Sequence, residues 1–166
     1  GTAMTICHRN PLHLAQCFAA LSRISNGRVI MGMGLGGFPH EFAAAGLPSG
    51  PAERVNLARI NADLCRRLWA GERVSYKDAY YSFQDVELKP APVSPIPIWC
   101  GGSTPAACRR AVEFGEGWLP ARITLPTFTR RMAYLRQFSQ TVARSMITAG
   151  VMPLTSIAKD NETALR

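Results

Sequence analysis

Short apolar runs alternate along the chain with longer stretches that carry an apolar stripe. The apolar runs predict buried β-strands. They cover residues 1–7, 28–34, 96–101, 117–122 and 146–152. The stripes repeat every three or four residues and predict helices. They cover residues 10–25, 52–70, 105–114 and 126–143. Strands that alternate with helices in this way are typical of an α/β fold with a parallel sheet.

The predicted helices carry start and stop signals. Asn10-Pro11 and Thr104-Pro105 each place a capping residue before a proline, and Asn26-Gly27 ends the first helix. Asp160 predicts the N-cap of a further helix. Residues 73–88 interrupt the alternation, because aromatic and β-branched residues are mixed there with polar ones. They predict a β-hairpin or an extended excursion.

The five predicted strands are joined by four crossovers that are long enough for parallel connections. A complete (β/α)8 barrel needs about 250 residues, and the 166 residues of this chain supply about five of its eight units. We expect a single domain over residues 1–166. It is either an open parallel sheet or an incomplete (β/α)8 barrel without the N-terminal strands and the last unit. The chain begins without a Met, which favours the incomplete barrel.

The most informative motif is a glycine block directly after the second predicted strand. Gly32, Gly34 and Gly37 match the dinucleotide fingerprint G-x-G-x-x-G. Pro39 and a polar stretch predict a loop over residues 35–51, so no helix N-terminus is expected at the glycines. In addition, no acidic residue ends a strand about 20 residues further on, as the fingerprint requires. We therefore expect a site where a ligand approaches bare backbone, rather than a dinucleotide site. A glycine-rich turn without a ligand is the alternative.

Composition narrows the functional classes. The chain is 47% hydrophobic and 18% charged, with a net charge of +8, as in ordinary globular proteins. It has no apolar run of about 20 residues and no signal-peptide pattern, so we expect neither a membrane span nor secretion. The basic residues are dispersed without interleaved aromatics, which disfavours nucleic-acid binding. A basic surface does favour an anionic, phosphate-bearing ligand.

The chain has five cysteines, an odd number without C-x-x-C spacing. This disfavours a disulfide framework and a zinc site, and we expect no metal. Buried, reduced thiols are expected instead, as in a cytoplasmic protein. Cys100 ends a predicted strand, so a reactive thiol at that position is the alternative.

Several blocks occur in an order that resembles the luciferase-like monooxygenases, (β/α)8 enzymes that use FMN or the deazaflavin F420. These blocks are Gly1-Thr2-Ala3-Met4-Thr5, Ser25-Asn26-Gly27-Arg28, Gly32-x-Gly34-x-Gly36 with Glu41-Phe42, Tyr80-Tyr81, Pro97-Ile98-Trp99 with Gly101-Gly102, and Gly117-Trp118. The resemblance covers nearly the whole chain and is closer to the F420 branch. It implies an oxidoreductase that uses F420 to transfer a hydride to or from a small organic substrate. An FMN-dependent monooxygenase is the alternative.

The resemblance also implies where the cofactor binds. A bulge at the end of the family's third strand, often with a non-prolyl cis peptide, supports the flavin ring and corresponds to Ala3 and Met4. The loop after the second predicted strand flanks the ring. It comprises Gly34, Leu35, Gly36, Gly37 and Phe38. The phosphate or its linker is held by glycine backbone and two hydroxyls at a helix start. These residues are Gly101, Gly102, Ser103 and Thr104, of which the last two also suit simple helix capping.

The chain departs from the family at chemically important positions. Luciferases have an arginine where Leu35 stands, some F420 enzymes carry a carboxylate near Gly37, and a common helix glutamate is replaced by Ile60. The family's first two strands, which in many members supply a catalytic His or Asp, are missing. His8 and His40 remain as catalytic candidates, and the sequence shows no orienting partner for either one.

The missing strands leave a second hypothesis open, namely a truncated domain without catalytic activity. An exposed edge of a parallel sheet must pair, be covered or aggregate. Such a domain is therefore expected to persist as a homodimer.

Overall fold

The protein folds around one parallel β-sheet, in a computed structural model that describes residues 2–152 and 157–164. The strands are β1 (Thr2–Thr5), β2 (Met31–Gly34), β3 (Val74–Lys77), β4 (Ser82–Val86), β5 (Ile98–Gly101), β6 (Gly117–Leu119) and β7 (Thr148–Ala149). The sheet has the order β1-β2-β5-β6-β7, and every neighbouring pair is parallel. The α/β fold predicted from the sequence is confirmed.

Helices separate the strands of the sheet. They are α1 (Pro11–Ile24), α2 (Pro39–Ala44), α3 (Pro51–Trp69), α4 (Pro105–Phe114), α5 (Leu125–Thr141) and α6 (Asn161–Ala164). The predicted caps are present. Asn10 Oδ1 accepts the N–H of Leu12 at 2.9 Å, and Thr104 Oγ1 accepts the N–H of Ala107 at 3.2 Å. Asp160 likewise caps α6, so each of these helices begins where its sequence signal places it.

The strand order follows the chain order, as it does in (β/α) barrels. Crossovers between parallel strands take one hand, so the helices cover one face of the sheet, and α4 packs directly on β5 and β6. Within the described residues the sheet is open, with β1 and β7 at its two edges.

The two faces of the sheet differ in side-chain size. Side chains on the helix-covered face are large and buried. They are Met31, Met33, Ile98, Cys100 and Trp118. On the opposite face, Trp99 is paired in register with Gly32 and Gly117, and a Cβ added to Gly117 would lie 2.5 Å from the Trp99 ring. One indole therefore occupies space that neighbouring glycines leave free.

The predicted loop over residues 35–51 contains a helix, so that prediction was wrong in part. Pro39 supplies the first turn of α2, and Phe42 anchors it because its side chain is completely buried in the core. The helix has six residues, and Phe38 at its N-cap makes no side-chain capping bond. The absence of a helix directly after the glycines was therefore an incorrect argument against a dinucleotide site.

The first predicted strand, over residues 1–7, is shorter than expected. β1 ends at Thr5, and a 3₁₀ helix follows over Ile6–His8; Gly1 lies outside the described residues. β1 pairs with β2 in one continuous register, so the expected bulge at Ala3 and Met4 does not occur in this described ladder. Among the described residues, the cis peptide bond is Lys89–Pro90.

Residues 73–88 form an antiparallel hairpin of β3 and β4 between α3 and β5. Asp78 organises its turn: one carboxylate oxygen accepts the N–H groups of Tyr80 and Tyr81 at 2.7 Å, and the other accepts the hydroxyl of Tyr76 at 2.9 Å. These three bonds lower the pKa of the Asp78 carboxyl, although burial opposes them. Val74 is fully buried and attaches the hairpin to the core.

Candidate functional site

The predicted site residues converge at the C-terminal edge of the sheet. Gly34 ends β2 and Gly101 ends β5, and these two strands are parallel neighbours. Two loops therefore leave the sheet side by side. We call them the β2 loop (residues 34–38) and the β5 loop (residues 101–104). The turn after β1 lies at the same edge, while Ala3 and Met4 lie in β1 opposite residues 32 and 33.

The β2 loop is held in one conformation by its surroundings. Gly36 has a left-handed φ of 74°, and its carbonyl accepts Nη1 of Arg54 at 2.8 Å. A Cβ on Gly36 would lie 2.7 Å from Thr5 Cγ2 and 2.8 Å from the Phe42 ring. The next glycine, Gly37, has open space around it. This loop therefore requires glycine at position 36 for both its backbone angle and its packing.

An exposed aromatic side chain borders the β2 loop. Phe38 has 61% of its surface accessible, and its ring centroid lies 5.8 Å from that of His40, an exposed residue of α2. Leu35, by contrast, packs partly buried against the core. The loop thus offers apolar and backbone surface, without a carboxylate at positions 34–38.

His8 is the predicted catalytic candidate that lies nearest the core. Its ring packs edge-on against Phe42, with centroids 4.2 Å apart. Its Nε2 is buried and has no hydrogen-bond partner within the described part of the chain. The structure brings His8 to the same edge as the β2 loop, but no side chain of residues 2–152 and 157–164 orients the imidazole for proton transfer through a hydrogen bond.

The β5 loop turns its carbonyl groups toward the protein. Nε1 of Trp118 donates to the Gly102 carbonyl at 2.8 Å, and Nε of Arg131 donates to the Ser103 carbonyl at 2.9 Å. Gly102 has a φ of 107°, and a Cβ there would lie 2.9 Å from Cβ of Ala107. Glycine is therefore needed at position 102, and this residue is exposed to solvent.

Positive charge surrounds the β5 loop. Nη2 of Arg110 lies 3.8 Å from the position that a Cβ on Gly102 would take. Arg110 is partly buried, which lowers the pKa of its guanidinium, and it donates no hydrogen bond to any described residue. The first turn of α4 contains no acidic residue. Together with Arg131 and the helix N-terminus, this arrangement suits a phosphate or another anion.

Four of the five thiols are buried in this fold, and one is exposed. Burial raises the pKa of Cys100 to about 12, which suppresses the nucleophilic thiolate. The structure contradicts the alternative of a reactive Cys100, because its side chain lies on the helix-covered face of the sheet with 1% of its surface accessible. Cys7, Cys65 and Cys108 are buried as well, whereas Cys17 is exposed on α1.

Two side chains of α3 that the sequence reasoning assigned no role organise the edge. Asn61 is buried, and its Nδ2 donates to the carbonyls of Ile6 and Arg9 at 2.9 and 3.0 Å. It thereby ties down the turn after β1, while Arg54 ties down the β2 loop. For Asn61, the sequence contained a signal, namely a polar residue inside the apolar stripe of α3. Buried amides occur where backbone groups need hydrogen-bond partners.

A cavity of about 510 Å³ lies at the opposite end of the sheet. It is lined mainly by Trp69, Ile96, prolines of the segment before β5, and the Arg66–Glu116 pair. None of the predicted site residues lines it. The cavity therefore does not mark the site that the sequence predicts.

No helix within residues 2–152 and 157–164 is long and apolar enough to cross a membrane.

The family model described as luciferase-like monooxygenase matches residues 1–166. An F420-dependent glucose-6-phosphate dehydrogenase from Amycolatopsis mediterranei (strain U-32) is 34% identical over 112 residues, covering 66% of this chain and 33% of that protein.

Two solved structures share the fold. An F420-dependent secondary alcohol dehydrogenase in complex with an F420-acetone adduct has a TM-score of 0.82 at 20% identity, covering 94% of this chain and 48% of that one. The oxygenating constituent of 3,6-diketocamphane monooxygenase from the CAM plasmid of Pseudomonas putida, in complex with FMN, has a TM-score of 0.77 at 19% identity, with coverages of 94% and 48%.

The chain spans about a third of the curated relative's length and about half of each solved structure. Its five sequential parallel strands superpose on part of their barrels. The whole-length family match and this partial barrel together show that the chain belongs to the luciferase-like monooxygenase family.

Proposed function

We propose that this chain is the cofactor-binding part of an oxidoreductase that uses coenzyme F420 to transfer a hydride to or from a small organic substrate. The observation that carries the proposal is the meeting of the β2 loop and the β5 loop at the C-terminal edge of the sheet. In (β/α)8 barrels this edge holds the active site.

The preference for F420 over FMN rests on sequence. The curated relative at 34% identity is described as F420-dependent, whereas the FMN-bound structure is 19% identical and shares the fold alone. When bound, F420 supplies a deazaflavin ring that accepts or gives a hydride. An FMN-dependent monooxygenase is the second candidate, because an FMN-bound protein has the same fold over 94% of this chain.

The residues at the edge fit such a cofactor. Gly34, Leu35, Gly36, Gly37 and Phe38, with the backbone of Ala3 and Met4, are proposed to flank the ring. Gly101, Gly102, Ser103 and Thr104 are proposed to hold the phosphate. Support comes from the packed left-handed Gly36 and from the guanidinium of Arg110, which has no hydrogen-bond partner beside Gly102 among the described residues. Burial disfavours the charged guanidinium, and Glu113 offsets this effect only in part, so an anion at this point would stabilise it.

The chain's own contribution to the reaction is to bind and orient the cofactor. His8 and His40 stay proposed candidates for moving a proton. We assign no further acid–base side chain to this chain. It covers a third to a half of the length of its relatives.

Separate titrations with F420 and FMN, followed by fluorescence, test the proposal. We expect F420 to bind and Arg110→Met to weaken its binding at least about tenfold, because a hydrogen bond to a charged group contributes about 1.5–3 kcal/mol. Arg109→Met is the matched control, since Arg109 is the exposed neighbour on the same helix. FMN binding alone would favour the monooxygenase. If neither cofactor binds, the inactive truncated domain is the better description.

We also propose a cytoplasmic location, no nucleic-acid partner and self-association. The described cysteines are all free, which supports a reducing compartment. The outer edges of β1 and β7 have no partner strand among the described residues, which supports a homodimer. Light scattering of the purified chain tests the dimer, and salt-dependent retention on DNA tests nucleic-acid binding.

A further inference from the structure

Arg54 connects two separate parts of the candidate site. It lies in the first turn of α3, and its Nη1 donates to the carbonyl of Gly36 in the β2 loop at 2.8 Å. Its own backbone carbonyl accepts Sγ of Cys7, in the turn after β1, at 3.1 Å. A single residue thus contacts the segments that follow two neighbouring strands.

Contacts within the protein surround the guanidinium of Arg54. Its central carbon lies 5.1 Å from the centroid of the Phe42 ring, a distance at which a cation and an aromatic face attract each other. Its Nε is buried without a partner among the described residues. Burial of an incompletely bonded guanidinium is unfavourable. Placing Arg54 beside Gly36 therefore has a cost to the stability of the protein.

Gly36 depends on this bond for its orientation. Its backbone is left-handed, and Thr5 and Phe42 press against one side of it. Arg54 holds the carbonyl on another side. Without Arg54, packing would still limit the position of Gly36, but its carbonyl would lose its hydrogen-bond partner among the described residues.

We propose that Arg54 is a positioning residue of the cofactor site: it orders the β2 loop in the conformation that receives the ring. This inference rests on the proposed function for its ligand. The order of the loop itself can be measured in the free protein, independently of any cofactor.

The test compares Arg54→Met, Arg54→Lys and the control Arg59→Met. Methionine keeps an unbranched apolar side chain that can pack on Phe42, but it removes the positive charge and the N–H donors. Lysine keeps the charge with a different donor geometry. Arg59 lies on the same helix, is exposed and bonds to Asn56 at 3.3 Å. Amide hydrogen exchange by mass spectrometry is measured on the free proteins for residues 34–42 and for α4.

In Arg54→Met we expect at least tenfold faster exchange in residues 34–42 and unchanged exchange in α4, because only the local opening is made easier. Arg54→Lys should be intermediate, and Arg59→Met should match the wild type. F420 binding should weaken about tenfold in Arg54→Met. Across the variants, the loss of F420 affinity should correlate with the exchange rate of residues 34–42 and not with the melting temperature.

Unchanged exchange in residues 34–42 would overturn the inference, and so would an equal acceleration in α4, which would indicate a general loss of stability. Normal F420 affinity in a variant whose loop is disordered would also overturn it. If the wild type binds neither F420 nor FMN, the proposed function fails. The exchange data then decide by themselves whether Arg54 orders the loop.

Discussion

The two ends of the parallel sheet are built in different ways. At the N-terminal end, Glu116 accepts the N–H of Ile98 at 2.8 Å and pairs with Arg66 at 2.7 Å. Arg66 also donates to the Phe114 carbonyl at 2.9 Å. Side chains at this end therefore satisfy backbone groups and connect α3 to the starts of β5 and β6.

The C-terminal edge carries several features that reduce stability. His8 and Arg54 bury nitrogens without partners in the described chain, and Gly36 and Gly102 have left-handed backbones. Unsatisfied groups and constrained glycines often occur at functional sites. The comparison teaches that side chains tie one end of this sheet together, whereas the other end, where the cofactor site is proposed, keeps polar nitrogens without partners among the described residues.

The largest effect is expected from adjacent glycines at the C-terminal edge. Gly36→Ala should destabilise the protein by roughly 2–4 kcal/mol, because it combines a left-handed backbone with overpacking against Thr5 and Phe42. Gly37→Ala meets no atom within 4 Å and should change stability by about 0.5 kcal/mol or less. Urea unfolding measures both variants. Equal losses would show that the edge is not packed as described.

The next effect tests the N-terminal end. Glu116→Ala should lower the free energy of unfolding by about 2 kcal/mol, since it removes the acceptor for Ile98 and the partner of Arg66. F420 affinity should stay at the wild-type level. The control is Glu72→Ala, which breaks an exposed pair with Arg67 and should cost at most about 0.5 kcal/mol. A loss of cofactor affinity in Glu116→Ala would break the division between the two ends.

A smaller effect separates capping from ligand binding at the β5 loop. Thr104→Ala should cost about 1 kcal/mol, because α4 loses the side chain that accepts the N–H of Ala107. Thr104→Ser should keep the cap. Thr124 occupies the N-cap of α5 without a capping bond, so Thr124→Ala is expected to have less effect than Thr104→Ala in thermal unfolding. If Thr104→Ala weakens F420 binding while Thr104→Ser does not, the hydroxyl also serves the ligand.

The smallest effect at neutral pH concerns the buried thiols. Burial raises the pKa of Cys7 from 9.0 to about 11 and that of Cys65 to about 12. As the pH rises, these thiols lose their protons in the unfolded chain before they do so in the folded protein. Their contribution to the free energy of unfolding should therefore be fully present below about pH 9 and fall as the pH rises toward 11 and 12. At neutral pH, a thiol reagent should modify Cys17 rapidly and the buried cysteines slowly. Rapid modification of Cys100 in the native state would contradict its burial.

Much of the architecture could be predicted from local pattern. The apolar runs located the five strands of the sheet, and Thr104-Pro105 placed the start of α4 at the correct residue. α2 was missed because its six residues are held by the burial of Phe42, which no local pattern reveals. The bulge expected at Ala3 and Met4 came from the family resemblance, and the continuous β1–β2 register does not contain it.

The candidate site was predictable in its location and less so in its supporting contacts. Glycines at the ends of two parallel strands indicated one shared edge, and the structure places them there. Arg54 and Asn61 were not assigned because their partners are 18 and 55 residues away in sequence. The burial of Cys100 likewise depended on which face of β5 the helices cover.

The sequence by itself determined the alternation of strands and helices, the helix caps and the need for glycine in the loops, because these depend on neighbouring residues and on backbone sterics. The tertiary structure decided which carbonyl Arg54 meets, which thiols are buried and which glycines make room for Trp99. Those outcomes depend on packing between distant segments. Only the folded chain brings such segments into contact and sets their solvation.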